Sequence, residues 1–165
     1  MLIGSSKPSA VRRLSYLQTR LARAQAAFDP AALATADVVL AAANAPEPFL
    51  ASGHFAPGAI VCDLSVPAAV RPEVKGLRPD VLVIGGGIAR LPFGEDHGIV
   101  GFPLPPGQVY GCMAEALLIG LEGIRDATFT GILPAEHVFR LATMAKRHGF
   151  ALAEYKTHVT MGHGN

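Results

Sequence analysis

Three short apolar runs, each closed by a turn signal, constrain the fold of this chain more than any other feature. The first is Asp37-Val-Val-Leu-Ala-Ala-Ala43, which ends at Asn44-Ala45-Pro46. The second is Gly58-Ala-Ile-Val-Cys-Asp-Leu64, closed by Ser65-Val66-Pro67. The third is Val81-Leu-Val-Ile84, which ends in Gly85-Gly86-Gly87. Short continuous runs of this kind, without polar alternation, are the mark of strands buried on both faces. Leu2-Ile3 begins a fourth, shorter run. Ser9 is placed to cap a helix that carries Val11, Leu14, Leu17, Leu21 and Ala24 at helical spacing, and Asp29-Pro30 opens a helical turn.

Strands that alternate with helices predict an α/β fold with a parallel sheet. Two further helices are expected, from about Gly107 to Gly123 and from Pro134 to His148. Pro134 suits a first helical position, Lys146-Arg147-His148 a helix C-terminus, and Gly149 the stop. Within 165 residues there is room for one domain. A dinucleotide-binding domain opens with a strand, a Gly-x-Gly-x-x-Gly turn and a helix, and no such unit occurs. Gly85-Gly-Gly-Ile-Ala-Arg90 imitates it, but its third glycine position is Arg90 and Leu91-Pro92 opposes a helix. The expectation is therefore a partial Rossmann-like doubly wound parallel sheet over residues 1–153. It lacks its first strand and glycine-rich loop, is followed by two C-terminal helices, and ends in a tail over 154–165. The chain reads as the C-terminal part of a longer protein, with exposed strand edges open to self-association.

In open α/β sheets, ligands gather at the carboxyl ends of the strands. Here those ends read Gly4-Ser5-Ser6-Lys7, Asn44-Ala45-Pro46, Asp63-Leu64-Ser65 and Gly85-Gly86-Gly87. An NAD site places an acidic side chain at the end of the second strand. This chain has Ser5, Ser6 and Lys7 there, with Arg12 and Arg13 just beyond and no acidic residue before Asp29. Hydroxyls and cations suit a 2′-phosphate, so the cofactor expected is NADP(H). A solvated basic helix face is the competing reading of the same residues.

Gln108, Cys112, Glu115 and Ile119 follow one another at helical steps in the run Tyr110-Gly-Cys-Met-Ala-Glu-Ala-Leu-Leu118. They form one stripe, and Met113, Leu117, Leu121 and Ile124 form a second, apolar stripe suited to a core. A cysteine at a helix N-terminus ionises more readily and becomes a better nucleophile. It is equally the small buried hydrophobe that free cysteines often are. Asp63 reads as a turn-capping carboxylate. The net charge of +1 gives no electrostatic case for nucleic acid. Cys62 and Cys112 have no disulfide or metal spacing, which suits a reducing cytoplasm, and the six histidines show no metal pattern. The longest apolar stretch is too short and too interrupted to span a membrane.

These residues carry a family resemblance. From Leu2 almost to Ala153 the chain resembles the NAD(P)-binding region of cyanobacterial acyl-(acyl carrier protein) reductase and its relatives, and more broadly shikimate-dehydrogenase-type Rossmann proteins. The landmarks are Leu2-Ile3-Gly4 with Arg13-Leu14, Ala36-Asp37-Val38-Val39, Gly85-Gly86-Gly87, Gln108-Val-Tyr-Gly-Cys-Met-Ala-Glu-Ala116, Leu121-Glu122-Gly123 and Arg147-His148-Gly149-Phe150. The resemblance implies an NADP-dependent reductase of fatty acyl thioesters. Cys112 would take the acyl group from an acyl carrier protein or another thioester, with Gln108 and Glu115 beside it. A dehydrogenase acting by direct hydride transfer, in which Cys112 only packs, is the alternative, as is a catalytically silent module. The tail Tyr155 to Asn165, with His158 and His163, matches nothing in the family pattern.

Overall fold

The computed structural model describes residues 1–92, 94, 98–125 and 134–153. The expected tail over 154–165, with His158 and His163, lies outside the described residues. The chain divides into two compact units, Met1–Gly86 and Gly87–Asn165.

The first unit is α/β, with parallel pairing throughout. Strand β1 (Leu2–Ile3) leads into helix α1 (Pro8–Arg20), and β2 (Ala26–Ala27) returns to pair with β1 in parallel. A short 3-10 turn, Pro30–Thr35, follows. As the sequence predicts, Asp29 starts it, its side chain accepting from the Ala31 N–H at 2.9 Å. Strands β3 (Val38–Ala41), β4 (Ile60–Asp63) and β5 (Leu82–Gly85) then form a parallel sheet in the order β3-β4-β5, with the short helix α2 (Val74–Leu77) between β4 and β5 in the chain. They are the three apolar runs of the sequence, the first two trimmed at their ends and the third shifted by one residue. Val39, Ala41 and Val61 face a core shared with Leu50, Phe55, Val70, Val74 and Val81. On the other face Val38 and Leu40 stay 62% and 72% exposed.

The cap of α1 differs from expectation. Pro8, not a residue after Ser9, takes the first helical position, and Lys7 is the N-cap. Proline suits that position because the N–H it lacks has no helical partner there. Of the apolar series expected on this helix, Leu14 is buried. Leu14 packs over Gly4, where a Cβ would lie 2.9 Å from Leu14 Cδ1, so glycine at the end of β1 lets the helix approach.

Asp63 ends β4 and is a buried carboxylate. Its Oδ1 accepts from the Ser65 N–H at 3.0 Å, and its Oδ2 accepts from the N–H groups of Ala69 and Val70 at 2.7 and 2.9 Å. The turn-organising role read from the sequence is the one it plays. Ser65 passes the order on, its Oγ accepting from the Ala43 N–H at 3.0 Å just after β3. A second polar knot holds the 52–58 loop. Arg78 donates to both carboxylate oxygens of Asp80 at 2.8 Å, and to the carbonyls of Ser52, Phe55 and Ala56 at 2.9–3.1 Å. Those bonds from Arg78, helped by the Gly58 N–H, hold the Asp80 carboxyl well below its ordinary range.

The second unit contains an antiparallel sheet that sequence reading did not anticipate. Strand β6 (Ile88–Arg90) lies between β7 (Gln108–Tyr110) and β8 (Ala151–Leu152). Helix α3 spans Gly111–Leu121 and α4 spans Ala135–Arg147, the two C-terminal helices expected. α4 ends as predicted, with Gly149 at positive φ. α3 begins four residues later than expected, because Val109 is buried and pairs with Ala89 as strand. Its inner residues are Ala114 and Leu118, whereas Leu117 and Leu121 of the expected core stripe are exposed. Periodicity misled here because α3 is apolar nearly all round, so two stripes compete.

Glu122, at the end of α3, ties the two helices together. It accepts from His148 Nε2 at 2.8 Å and from Arg147 Nη1 at 2.9 and 3.0 Å. The His148 bond, opposed by desolvation and aided by the Arg147 charge, holds the Glu122 carboxyl below its ordinary value of 4.5. A carboxyl depressed on folding contributes stability that is fully present above its unfolded value and is lost as pH falls through its folded one. The urea midpoint should therefore fall more steeply between pH 6 and pH 3 in the native chain than in Glu122→Gln; equal slopes would refute the linkage.

Asp63→Ala should cost about 2–4 kcal/mol, since three N–H groups lose a charged acceptor and two of them belong to buried residues. Asp63→Asn, which keeps one acceptor oxygen, should cost less. Urea denaturation followed by circular dichroism measures both.

Candidate functional site

The first unit holds an open cleft of about 950 Å³ between β1 and β3, the outer strand of the three-stranded sheet. Three elements build it. The end of β1 and the first turn of α1 supply Ser5, Ser6, Lys7 and, one turn on, Arg13. The end of β3 supplies Ala42 and Ala43 and then Asn44, Ala45 and Pro46. The remaining wall is apolar, with Phe28, Leu33 and Phe49.

The structure thus gathers Ser5, Ser6, Lys7, Arg13, Asn44, Ala45 and Pro46 around one cleft. Arg12, expected beside Arg13 in the same basic group, does not line it. No carboxylate is among the residues that line the cleft, and its charged side chains are Lys7 and Arg13. An anionic group would find hydroxyl donors, two cations and the N-terminus of a 13-residue helix at this mouth.

Gly85 and Gly86 do not line the cleft. Packing sets the identity of Gly86, since a Cβ there would lie 2.6 Å from Leu64 Cδ2 and 2.7 Å from Cys62 Sγ. The glycine closes β5 against the end of β4, and its N–H donates to the Asp63 carbonyl at 2.7 Å.

The thiol site belongs to the second unit. Cys112 is exposed at the second position of α3, immediately after Tyr110 as N-cap and Gly111. Gly111 is fixed by its N–H, which donates to the Gly87 carbonyl at 2.6 Å, and a Cβ on Gly111 would lie 3.2 Å from that same oxygen. The close approach of two backbones thus sets where the helix starts. Glu115 is half-buried one turn along. Gln108 is in β7, not in the helix, so the expected stripe is broken: only Cys112, Glu115 and Ile119 share the helix. Four-residue spacing cannot tell a helix from a strand that runs into one. The Phe102 and Tyr110 rings meet edge to face, 5.7 Å apart, beside this junction.

Sequence reasoning named Ser65 at a strand end but missed its bond to the Ala43 N–H, and it missed the small-residue wall of the cleft. The first joins residues 22 apart and leaves no local mark. The second carries no sequence signal, because alanines in a strand look like core.

No protein-family model matches the chain. A stretch of 96 residues, 57% of the chain, is 28% identical to a protein described as aminotransferase PigE from Serratia sp. (strain ATCC 39006). The matched stretch covers 11% of that relative's length. Among the described residues no helix is long and apolar enough to cross a membrane.

Because Cys112 is exposed at a helix start and Cys62 is half-buried against Gly86, iodoacetamide should label Cys112 about tenfold faster in the folded chain. Peptide mapping after timed quenching measures the two rates. Equal rates would remove the distinction between the thiols.

Proposed function

We propose that this chain is part of an NADP-dependent oxidoreductase that reduces a fatty acyl thioester to an aldehyde, with Cys112 as nucleophile. The observation that carries the reading is the exposed thiol in the first turn of α3. It is supported by the resemblance of the Gln-x-x-x-Cys-x-Ala-Glu block and by a cleft whose lining has cations and hydroxyls but no carboxylate. The match to an aminotransferase spans too little of that protein to bring its activity to this chain.

In this reading the Cys112 thiolate attacks the carbonyl carbon of the acyl thioester. The bond from that carbon to the carrier sulfur breaks, the carrier leaves as a thiol after taking a proton, and the acyl group rests on Cys112 as a new thioester. Two features of the chain favour this step. The exposure of Cys112 lets a carrier-borne acyl group reach it. Glu115, on the same helix, and Gln108, in the strand that precedes it, would position the acyl group. Ser5, Ser6, Lys7 and Arg13 would hold the 2′-phosphate of NADP(H), and Asn44, Ala45 and Pro46 the adjoining part of the nucleotide. NADPH, when bound, supplies the hydride that reduces the thioester. The acyl carrier protein or another acyl thioester is the proposed partner, and a cytoplasmic setting suits the free thiols.

Incubation with a long-chain acyl-coenzyme A followed by intact-mass and peptide analysis tests this. A single acyl adduct on Cys112, absent from Cys112→Ser, is the expected result. Acylation of neither thiol, or of both to the same extent, would overturn the covalent reading and leave a Rossmann-type dehydrogenase without an acyl-enzyme.

A further inference from the structure

Charge is segregated along this chain. Five of its fourteen Lys and Arg residues precede Asp29, the first acidic residue. The net charge of +1 therefore hides a basic N-terminal part and a remainder in which acids outnumber bases. Of those five cations, Lys7 and Arg13 line the cleft, whereas Arg12, Arg20 and Arg23 do not. Arg12, Tyr16 and Arg20 succeed one another at steps of four on α1 and share one side of it, over about 12 Å of helix axis. Leu21, the C-cap, and Arg23, in the turn beyond, carry the same composition past the helix end.

All five of these side chains are exposed, Tyr16 and Leu21 by 45% and 50%. Exposed cations on a helix are commonly answered by a carboxylate one turn away. α1 contains no acidic residue, and none of the three arginines pairs with a carboxylate among the described residues. Arg20 instead donates from Nη1 to the Tyr16 hydroxyl at 2.7 Å and lies 5.7 Å from the centre of that ring. The contact holds a cation and an aromatic ring together at the surface.

We propose that this outer patch of α1 docks the chain on an anionic lipid surface, as a peripheral contact that does not cross it. Cations alone would suit any polyanion. The exposed ring and leucine among them select the lipid. A bilayer interface meets both demands in one plane, since its phosphates pair with arginine forks and the layer just beneath takes the Tyr16 ring and the Leu21 side chain. A nucleic acid or an acidic polypeptide would pair the arginines but supplies no continuous apolar layer. The patch shares no residue with the lining of the cleft, so a nucleotide held there and a lipid surface do not compete for side chains. This inference stands independently of the acyl-thioester reading.

Flotation of the full chain with unilamellar vesicles tests it. The expected result is recovery with vesicles of phosphatidylglycerol in phosphatidylcholine and none with phosphatidylcholine alone. Salt that shortens the screening length to about 3 Å should lower recovery about tenfold or more. Arg12→Gln, Arg20→Gln and Arg23→Gln should each weaken partition about fivefold, the worth of one cation beside an anionic leaflet. Tyr16→Ser combined with Leu21→Ser should weaken it about tenfold and leave retention on heparin unchanged. No recovery with the anionic vesicles, or equal recovery with the neutral ones, would overturn the proposal. So would unchanged partition of the Tyr16 and Leu21 variant, or displacement from the vesicles by polyglutamate or RNA, which would assign the patch to a soluble polyanion. All but one of these are read on the unsubstituted protein, so the test does not depend on the folding of a variant.

Discussion

The Asp63 carboxylate is the constraint on which the first unit depends. A buried charge in an apolar core is costly unless hydrogen bonds surround it. Asp63 meets that demand with backbone N–H groups from a loop that would otherwise have no reason to turn inward. Once Ala69 and Val70 are held there, the Ala69 carbonyl accepts from Phe49 and Leu50, and Arg71 donates back to Leu50. Leu50, Val70 and Val74 then reach the sheet and complete its core. The covered face of the sheet and the β3 side of the cleft thus follow from one side chain at the end of one strand.

The sheet of the first unit was legible because its runs are short, apolar and punctuated by Asn-Ala-Pro, Ser-Val-Pro and Gly-Gly-Gly. The Asp29 turn and the glycine stop after α4 were legible for a similar reason, since both are local chemistry. The antiparallel sheet was not. Ala89, Val109 and Ala151 lie in stretches too short to show alternation, and pairing between residues far apart in sequence leaves no local mark. The burial of Val109 as strand is what moves Gln108 out of the helical stripe. The interior of α3 was misjudged because small Ala114, not a larger neighbour, is the side chain that fits against its surroundings.

The cleft was legible in its polar half. Ser5, Ser6, Lys7 and Arg13 could be named from their place after a strand, and the structure sets all four on one cleft. The choice between Arg12 and Arg13 was beyond the sequence, since the two differ only by a rotation of 100° about α1. The apolar half belongs to strand direction and register, which composition does not reveal.

Arg78 shows how much order a single side chain can carry. Its planar head holds three carbonyls of the 52–56 segment as well as both oxygens of Asp80. A lysine would keep the charge but is a compact point donor without that fork. At this position the two cations are therefore not interchangeable. Conservation of charge would conceal a loss of shape, and a loop that now has one conformation would gain several.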